Sequence, residues 1–210
     1  MRPRDRPRRS GRRRWRNRSV IGVDRDPAML AEARRMADRP RVQVRSGDAG
    51  SLPVEDHSVD RARVDRVLMH VPDPAGVLAE LRRAGRPGAV IGLAEPDWDT
   101  LIVDSDDVDT SRAFTRYTTT RAVRNATIGR RLPRLAEEAG FTVDAIVTTT
   151  PVFRGIEVAD QIPGLGRNTR RAIESGDMDE GRGRRWFASL SQGPFLASFT
   201  LFTVVARIPA

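Results

Sequence analysis

Short apolar stretches that each run into an acidic turn occupy residues 20–98 and constrain this 210-residue chain more than any other feature. Val20-Ile21-Gly22-Val23 ends at Asp24, the Val42 and Val44 alternation ends just before Asp48, and the continuous run Ala89–Ala94 ends at Glu95-Pro96-Asp97-Trp98. Val59–Val64 predicts a further strand, although Asp60, Arg61 and Arg63 make it more charged than a central parallel strand should be. Strands of this length alternating with helical patterns predict an α/β protein with a mostly parallel sheet and helices on its faces.

The helices between them carry their own signals. Asp26 is placed to cap a helix with Pro27 in its first turn, and Met29, Ala33 and Met36 form an apolar stripe that should stop before Pro40. Asp73-Pro74 opens a second helix with Val77, Leu78 and Leu81 on one face, ending near Gly85, and Pro87-Gly88 predicts a turn. Gly47 to Pro53 reads as turn and loop. Further on, residues 107–125 allow a polar helix, Arg130–Ala139 a short helix stopped by Gly140, and Phe141–Thr150 a strand. Residues 157–190 alternate helical and Gly-rich pieces. Phe195–Ile208 is an apolar, β-branched strand expected to close the sheet edge. Without an internal repeat or a dividing linker, residues 19–210 read as one domain.

Composition narrows the chemistry. The absence of cysteine excludes disulfides, thiolate metal sites and Cys nucleophiles, and two histidines, His57 and His70, are too few for most zinc sites, so no metal is expected. No apolar run reaches the roughly 18 residues of a membrane span, which makes a cytoplasmic protein the expectation. The charge is uneven: residues 1–18 hold ten Arg against one Asp, a net +9 that equals the net charge of the whole chain. A basic prefix on a neutral domain reads as an appended arm or as non-native sequence, and the absence of an apolar or amphipathic pattern speaks against a targeting segment.

A carboxylate at the end of a strand, as at Asp24, is where nucleotide-binding α/β folds hydrogen-bond a ribose, usually with a glycine-rich turn about 20 residues upstream. Further pieces follow in order: Gly47-Asp48-Ala49, Leu52-Pro53, Ser58-Val59-Asp60, Val67-Leu68-Met69-His70-Val71, and Arg83-Ala84-Gly85-Arg86-Pro87-Gly88. With these residues the chain resembles the class I S-adenosylmethionine-dependent methyltransferases that act on small molecules, over about residues 20–150 and the final strand. The resemblance implies a Rossmann-like sheet with an antiparallel C-terminal strand, and S-adenosylmethionine as cofactor. It places cofactor contacts at Asp24, Arg25, Asp48, Ala49 and Val64. Asp24 would hold the ribose hydroxyls, and Asp48 with the following N–H would hold the adenine. Plain alternatives are a helix cap for Asp24 and an ordinary turn residue for Asp48.

The resemblance fails at the N-terminus. The family's first strand, its Gly-x-Gly-x-Gly turn and the next helix belong where residues 1–18 hold arginine, and that segment cannot serve as a buried strand. Without that strand, the strands at Val20 and Val59 would face a gap. All basic residues being Arg suggests GC-rich coding, in which a shifted reading frame or misassigned start yields such a stretch. The competing reading is a basic arm binding phosphate backbones, with Trp15 alone offering a stacking surface.

Methyl transfer needs alignment more than covalent help, and no catalytic residue is assigned. His70 and Asp97 lie near strand ends where a base would act, though structural roles are favoured for both; Trp98 and Tyr117 could line an acceptor pocket or simply pack. The leading expectation is a methyltransferase with a small-molecule acceptor, impaired by loss of the glycine-rich loop. The rivals are a non-catalytic relative using the arginine arm for nucleic acid, and another nucleotide-binding α/β enzyme such as a nicotinamide dehydrogenase.

Overall fold

The computed structural model describes residues 19–36 and 41–210. The arginine-rich segment 1–18, with every expectation placed on it, and the helix stop at Pro40 lie outside the described residues. The chain divides into two compact units, Met1–Pro53 and Val54–Ala210.

In the first unit, strand β1 (Val20–Asp24) pairs in parallel with β2 (Val42–Ser46), and helix α1 (Pro27–Met36) connects them and packs on both. Asp26 caps α1 as its sequence predicts, its Oδ1 accepting the Ala28 N–H at 2.7 Å. The predicted apolar stripe is not the buried face. Met29 and Met36 are 53% and 76% exposed, Ala33 is exposed as well, and Leu30 alone is buried. A two-stranded sheet is narrow, so it covers one position of the helix and leaves the flanking apolar residues in solvent.

The second unit is built on a sheet of order β3-β4-β7-β5, with β3 (Val59–Asp65), β4 (Gly85–Val103), β5 (Thr142–Thr149) and β7 (Ala197–Arg207); the two-residue β6 (Val152–Phe153) also pairs with β7. β3 and β4 are parallel, and β7 runs antiparallel to both β4 and β5. The C-terminal strand is therefore antiparallel as expected, but it lies inside the sheet between β4 and β5 rather than at the edge. Its burial suits that place: Ala197, Phe199, Val204 and Ala206 are all buried, as apolar residues of an interior strand are. The charges of β3 find a similar explanation. This strand ends the order, and Asp60, Arg61 and Arg63 are exposed, with Asp60 paired to Arg86 at 2.8 Å.

Helix α2 (Pro74–Ala84) begins at Asp73, whose Oδ1 accepts the Gly76 N–H at 2.9 Å, and buries Val77, Leu78, Leu81 and Ala84. Gly88 adopts φ +77° and donates to the Ile208 carbonyl at 3.0 Å, so the expected turn at Pro87-Gly88 is a kink within the long β4 strand. Beyond β4 come α3 (Val108–Tyr117), a π-helical turn (Thr118–Ala122) and α4 (Ile128–Glu138); α5 (Ile156–Gln161), α6 (Leu165–Glu174) and α7 (Glu180–Ser189) lie between β6 and β7. Leu78, Ile91, Leu93, Phe114, Ile128, Leu132, Leu165, Trp186 and Val204 form the core, each contributing about 1.5–3 kcal/mol by leaving water. Trp186 also satisfies its indole N–H on Ser111 Oγ at 2.9 Å. Among the described residues no helix is long and apolar enough to cross a membrane.

Candidate functional site

The parallel register of β1 and β2 places Asp24 opposite Ser46, and the Gly47 N–H donates to the Asp24 carbonyl at 3.0 Å. Asp48 follows directly, so the two carboxylates the sequence singled out stand at the same carboxyl rim. Asp24 is not the cap of α1, a task taken by Asp26. One Asp24 oxygen, Oδ1, accepts the Asp26 N–H at 2.9 Å, and Oδ2 takes no hydrogen bond among the described residues. Asp48 Oδ1 accepts the Gly50 N–H at 2.8 Å, while Oδ2 lies 4.0 Å from the Arg25 guanidinium. Asp24, Arg25 and Asp48 are exposed and Ala49 is half-buried. Each carboxylate thus spends one oxygen on bracing its own turn, and the second oxygen of Asp48 faces Arg25.

The loop carrying Asp48 is held by its own chemistry. A Cβ on Gly47 would meet Pro53 Cδ at 2.8 Å and Val23 Cγ1 at 3.0 Å, so only glycine allows Pro53 to fold back on β1. Arg45 Nη1 donates to the Pro53 carbonyl at 2.7 Å, closing the loop.

In the second unit β3 ends with Asp65 opposite Ala94, while β4 runs on to Val103. Val64, the remaining predicted contact, is half-buried on β3 opposite Leu93. The chain leaves β3 through Arg66, which donates its N–H to the Ala94 carbonyl at 2.8 Å and adopts φ +56°. A tight turn follows, with His70 N–H on the Val67 carbonyl at 2.9 Å; His70 itself is exposed.

Two carboxylates on β4 are completely buried. Glu95 accepts the N–H groups of Val67 and Leu68 on Oε1 at 2.8 and 2.6 Å, and that of Met69 on Oε2 at 3.3 Å. Burial pushes its carboxyl up to about 7, against those hydrogen bonds, which favour the charged form. Asp97 forms a two-point ion pair with Arg130, with Nη2 to Oδ1 at 2.9 Å, and Arg130 also reaches Asp99 at 3.1 Å. Occupied in this way, Asp97 is a structural partner of Arg130. Trp98 is core: its Nε1 faces Met69 Sδ at 3.5 Å and its ring lies 4.7 Å from that of Phe199. Tyr117 lines a surface hollow of about 280 Å³ with Ala113, Arg116, Thr120, Arg121 and Asp177.

Sequence reasoning missed the role of Glu95, because a carboxylate after an apolar strand reads as a solvated rim residue. The only local hint was its place before Pro96, deep in a buried run. Among the described residues no group of three or more His, Asp or Glu is arranged to hold a metal ion.

Residues 9–93 match the methyltransferase domain family model. The chain is 50% identical over 189 residues to an uncharacterized 37.1 kDa protein in transposon TN4556 of Streptomyces fradiae, a match covering 90% of this chain and 55% of that protein. It is 36% identical over 143 residues to a probable S-adenosylmethionine-dependent methyltransferase of Mycolicibacterium smegmatis, covering 68% of this chain and 50% of the relative. The chain thus spans about half the length of these curated relatives. Among solved structures, the YcgJ protein of Bacillus subtilis superposes with a TM-score of 0.64 at 15% identity, covering 92% of this chain and 83% of that one, a likeness of fold. The domain match identifies the chain as carrying a methyltransferase domain over residues 9–93, and the likeness to YcgJ agrees with it in fold.

Proposed function

We propose that this chain binds S-adenosylmethionine through the rim formed by Asp24 and Asp48 and takes part in methyl transfer to a small-molecule acceptor. The observation that carries this reading is the pair of exposed carboxylates on one rim, each with one oxygen that no backbone N–H occupies among the described residues. The donor set suits the adenosyl end of the cofactor. A cis-diol offers two O–H donors to the ionised Asp24, and an adenine amino group offers N–H donors to Asp48. Arg25, close to Asp48, balances the charge that two neighbouring acids would otherwise accumulate.

When bound, the cofactor supplies an activated methyl group on a sulfonium that is its own leaving group. The protein's part is to hold and orient, and to keep water from the reacting atoms. The segments after β4 and between β6 and β7, where Tyr117 and Asp177 meet at the surface hollow, are where acceptor contacts are proposed.

Calorimetric titration of the full chain with S-adenosylmethionine tests the reading. Charge-assisted hydrogen bonds of about 1.5–3 kcal/mol each make Asp24→Ala weaken binding roughly ten- to a hundredfold. Failure of the unaltered chain to bind, equal affinity in Asp24→Ala, or a preference for a nicotinamide dinucleotide would each overturn it.

A further inference from the structure

Helix α3 runs straight on into the π-helical turn Thr118–Ala122, which the Val123 N–H closes on the Thr118 carbonyl at 3.1 Å. Three consecutive hydroxyls brace the widened backbone: Thr118, Thr119 and Thr120 donate to the carbonyls of Phe114, Thr115 and Arg116 at 3.0, 3.0 and 2.8 Å. Such back-bonding bends a helix more than it strengthens it, and single π-helical turns gather at functional sites. One face of this stretch, formed by Ala113, Arg116, Tyr117, Thr120 and Arg121, lines a hollow of about 280 Å³ together with Asp177 from the loop after α6.

The groups around the hollow are mostly donors. Tyr117 is only 7% exposed, yet its hydroxyl has no hydrogen-bond partner among the described residues and is not sealed from solvent; the opening that Tyr117 lines is this hollow. Arg116 is exposed and its guanidinium makes no ion pair among the described residues. Arg121 lies 3.6 Å from Asp177, whose Oδ2 already accepts the Ser175 hydroxyl at 2.7 Å. Two guanidinium groups against one engaged carboxylate leave a positive charge beside an O–H donor, a set that suits an acceptor carrying negative charge. The volume stands at the small end of ligand pockets, which fits a compact molecule rather than a macromolecule. We propose that this hollow binds the carboxylate or phosphate group of a small molecule, with Arg116 and the Tyr117 hydroxyl as donors and Arg121, tied to Asp177, as the second cation. The proposal rests on the methyltransferase reading only for that molecule's role as acceptor; the binding itself involves residues of the second unit alone.

Tyr117 is the only tyrosine of the chain, so isotopically labelled tyrosine gives a single Cζ resonance in NMR, located at the hollow. That resonance separates the hollow from residues 1–18, whose ten arginines attract any anion. The full chain is titrated with inorganic phosphate and, separately, with acetate, at an ionic strength held constant with chloride. The resonance should shift saturably with at least one of the two, and the tighter of them identifies the group. Arg116→Gln should weaken that binding about tenfold or more by removing charge-assisted hydrogen bonds. Arg131→Gln removes the same charge from an exposed position on α4 outside the hollow and should leave the binding unchanged. Arg121→Gln deprives Asp177 of its cation, should weaken binding at least as much, and replaces Arg116→Gln if that variant does not fold. The absence of a saturable shift with either anion overturns the proposal, as does equal weakening by Arg116→Gln and Arg131→Gln, the mark of a general charge effect. A chain that binds S-adenosylmethionine but neither anion refutes the hollow alone, whereas one that binds an anion there but no S-adenosylmethionine refutes the methyl-donor reading alone.

Discussion

Gly47 donates its backbone N–H to the Asp24 carbonyl at 3.0 Å, and this bond across β1 and β2 brings Asp24 and Asp48 to a common rim. The bond depends on the absence of a side chain, since the Cβ of an alanine would intrude on Pro53 Cδ and Val23 Cγ1. Gly47→Ala should therefore weaken S-adenosylmethionine binding by about tenfold, with a stability loss of about 1–3 kcal/mol from the overpacked loop. Calorimetry and urea unfolding read the two effects separately. Gly193→Ala is the control, because nothing lies within 4 Å of its Cβ position. Equal affinity in both variants would show that the rim tolerates displacement of Asp48.

The Asp97–Arg130 pair predicts an asymmetry between its two halves. Asp97 is fully buried, whereas the Arg130 side chain is 46% exposed and can turn toward water when its partner is lost. Removing the cation strands a buried charge, so Arg130→Met should cost about 3 kcal/mol or more. Asp97→Asn keeps a polar group of similar size and leaves an arginine able to reach solvent, so its cost should be clearly smaller. Urea midpoints of the two variants decide the matter, and a larger loss for Asp97→Asn would contradict the assignment of Asp97 as the dependent, buried partner.

What the sequence makes legible here is what local chemistry dictates. Asp26 before Pro27 and Asp73 before Pro74 are caps that work within three residues, and both helices begin where those signals lie. The apolar runs that end at Asp24 and near Asp48 read correctly as strands sharing a rim, because a parallel pair with one connecting helix has few other arrangements. Distance in sequence is what hides the rest. Glu95 meets donors 26–28 residues upstream, Arg130 reaches Asp97 from 33 residues downstream, and neither pairing leaves a local pattern. The interior place of β7 is likewise a matter of non-local partners, and Met29, Ala33 and Met36 show that an apolar stripe predicts a helix more reliably than it predicts what covers it. The strand expected before Val20 would fall on residues outside those described, and the described strands sort into two sheets.

Glu95 should also leave a signature in the pH dependence of stability. Its carboxyl is raised from an ordinary 4.5 to about 7, by burial first and by the nearby charge of Asp65 to a lesser degree, with the N–H groups of Leu68, Val67 and Met69 pulling the other way. A group whose native pKa lies above its unfolded value binds more protons in the folded state, so its contribution is full below about pH 4.5, declines as the pH rises toward 7, and is gone above that. The shift corresponds to at most about 3 kcal/mol. Glu95→Gln has no proton to lose. The stability of the unaltered chain measured relative to this variant, by urea unfolding at closely spaced pH values, should therefore fall between about pH 4.5 and 7 and then level off. Other titrating groups cancel in that difference. A difference that stays flat across the interval, or that grows with pH, would mean that the three N–H groups outweigh burial and that Glu95 is held ionised throughout.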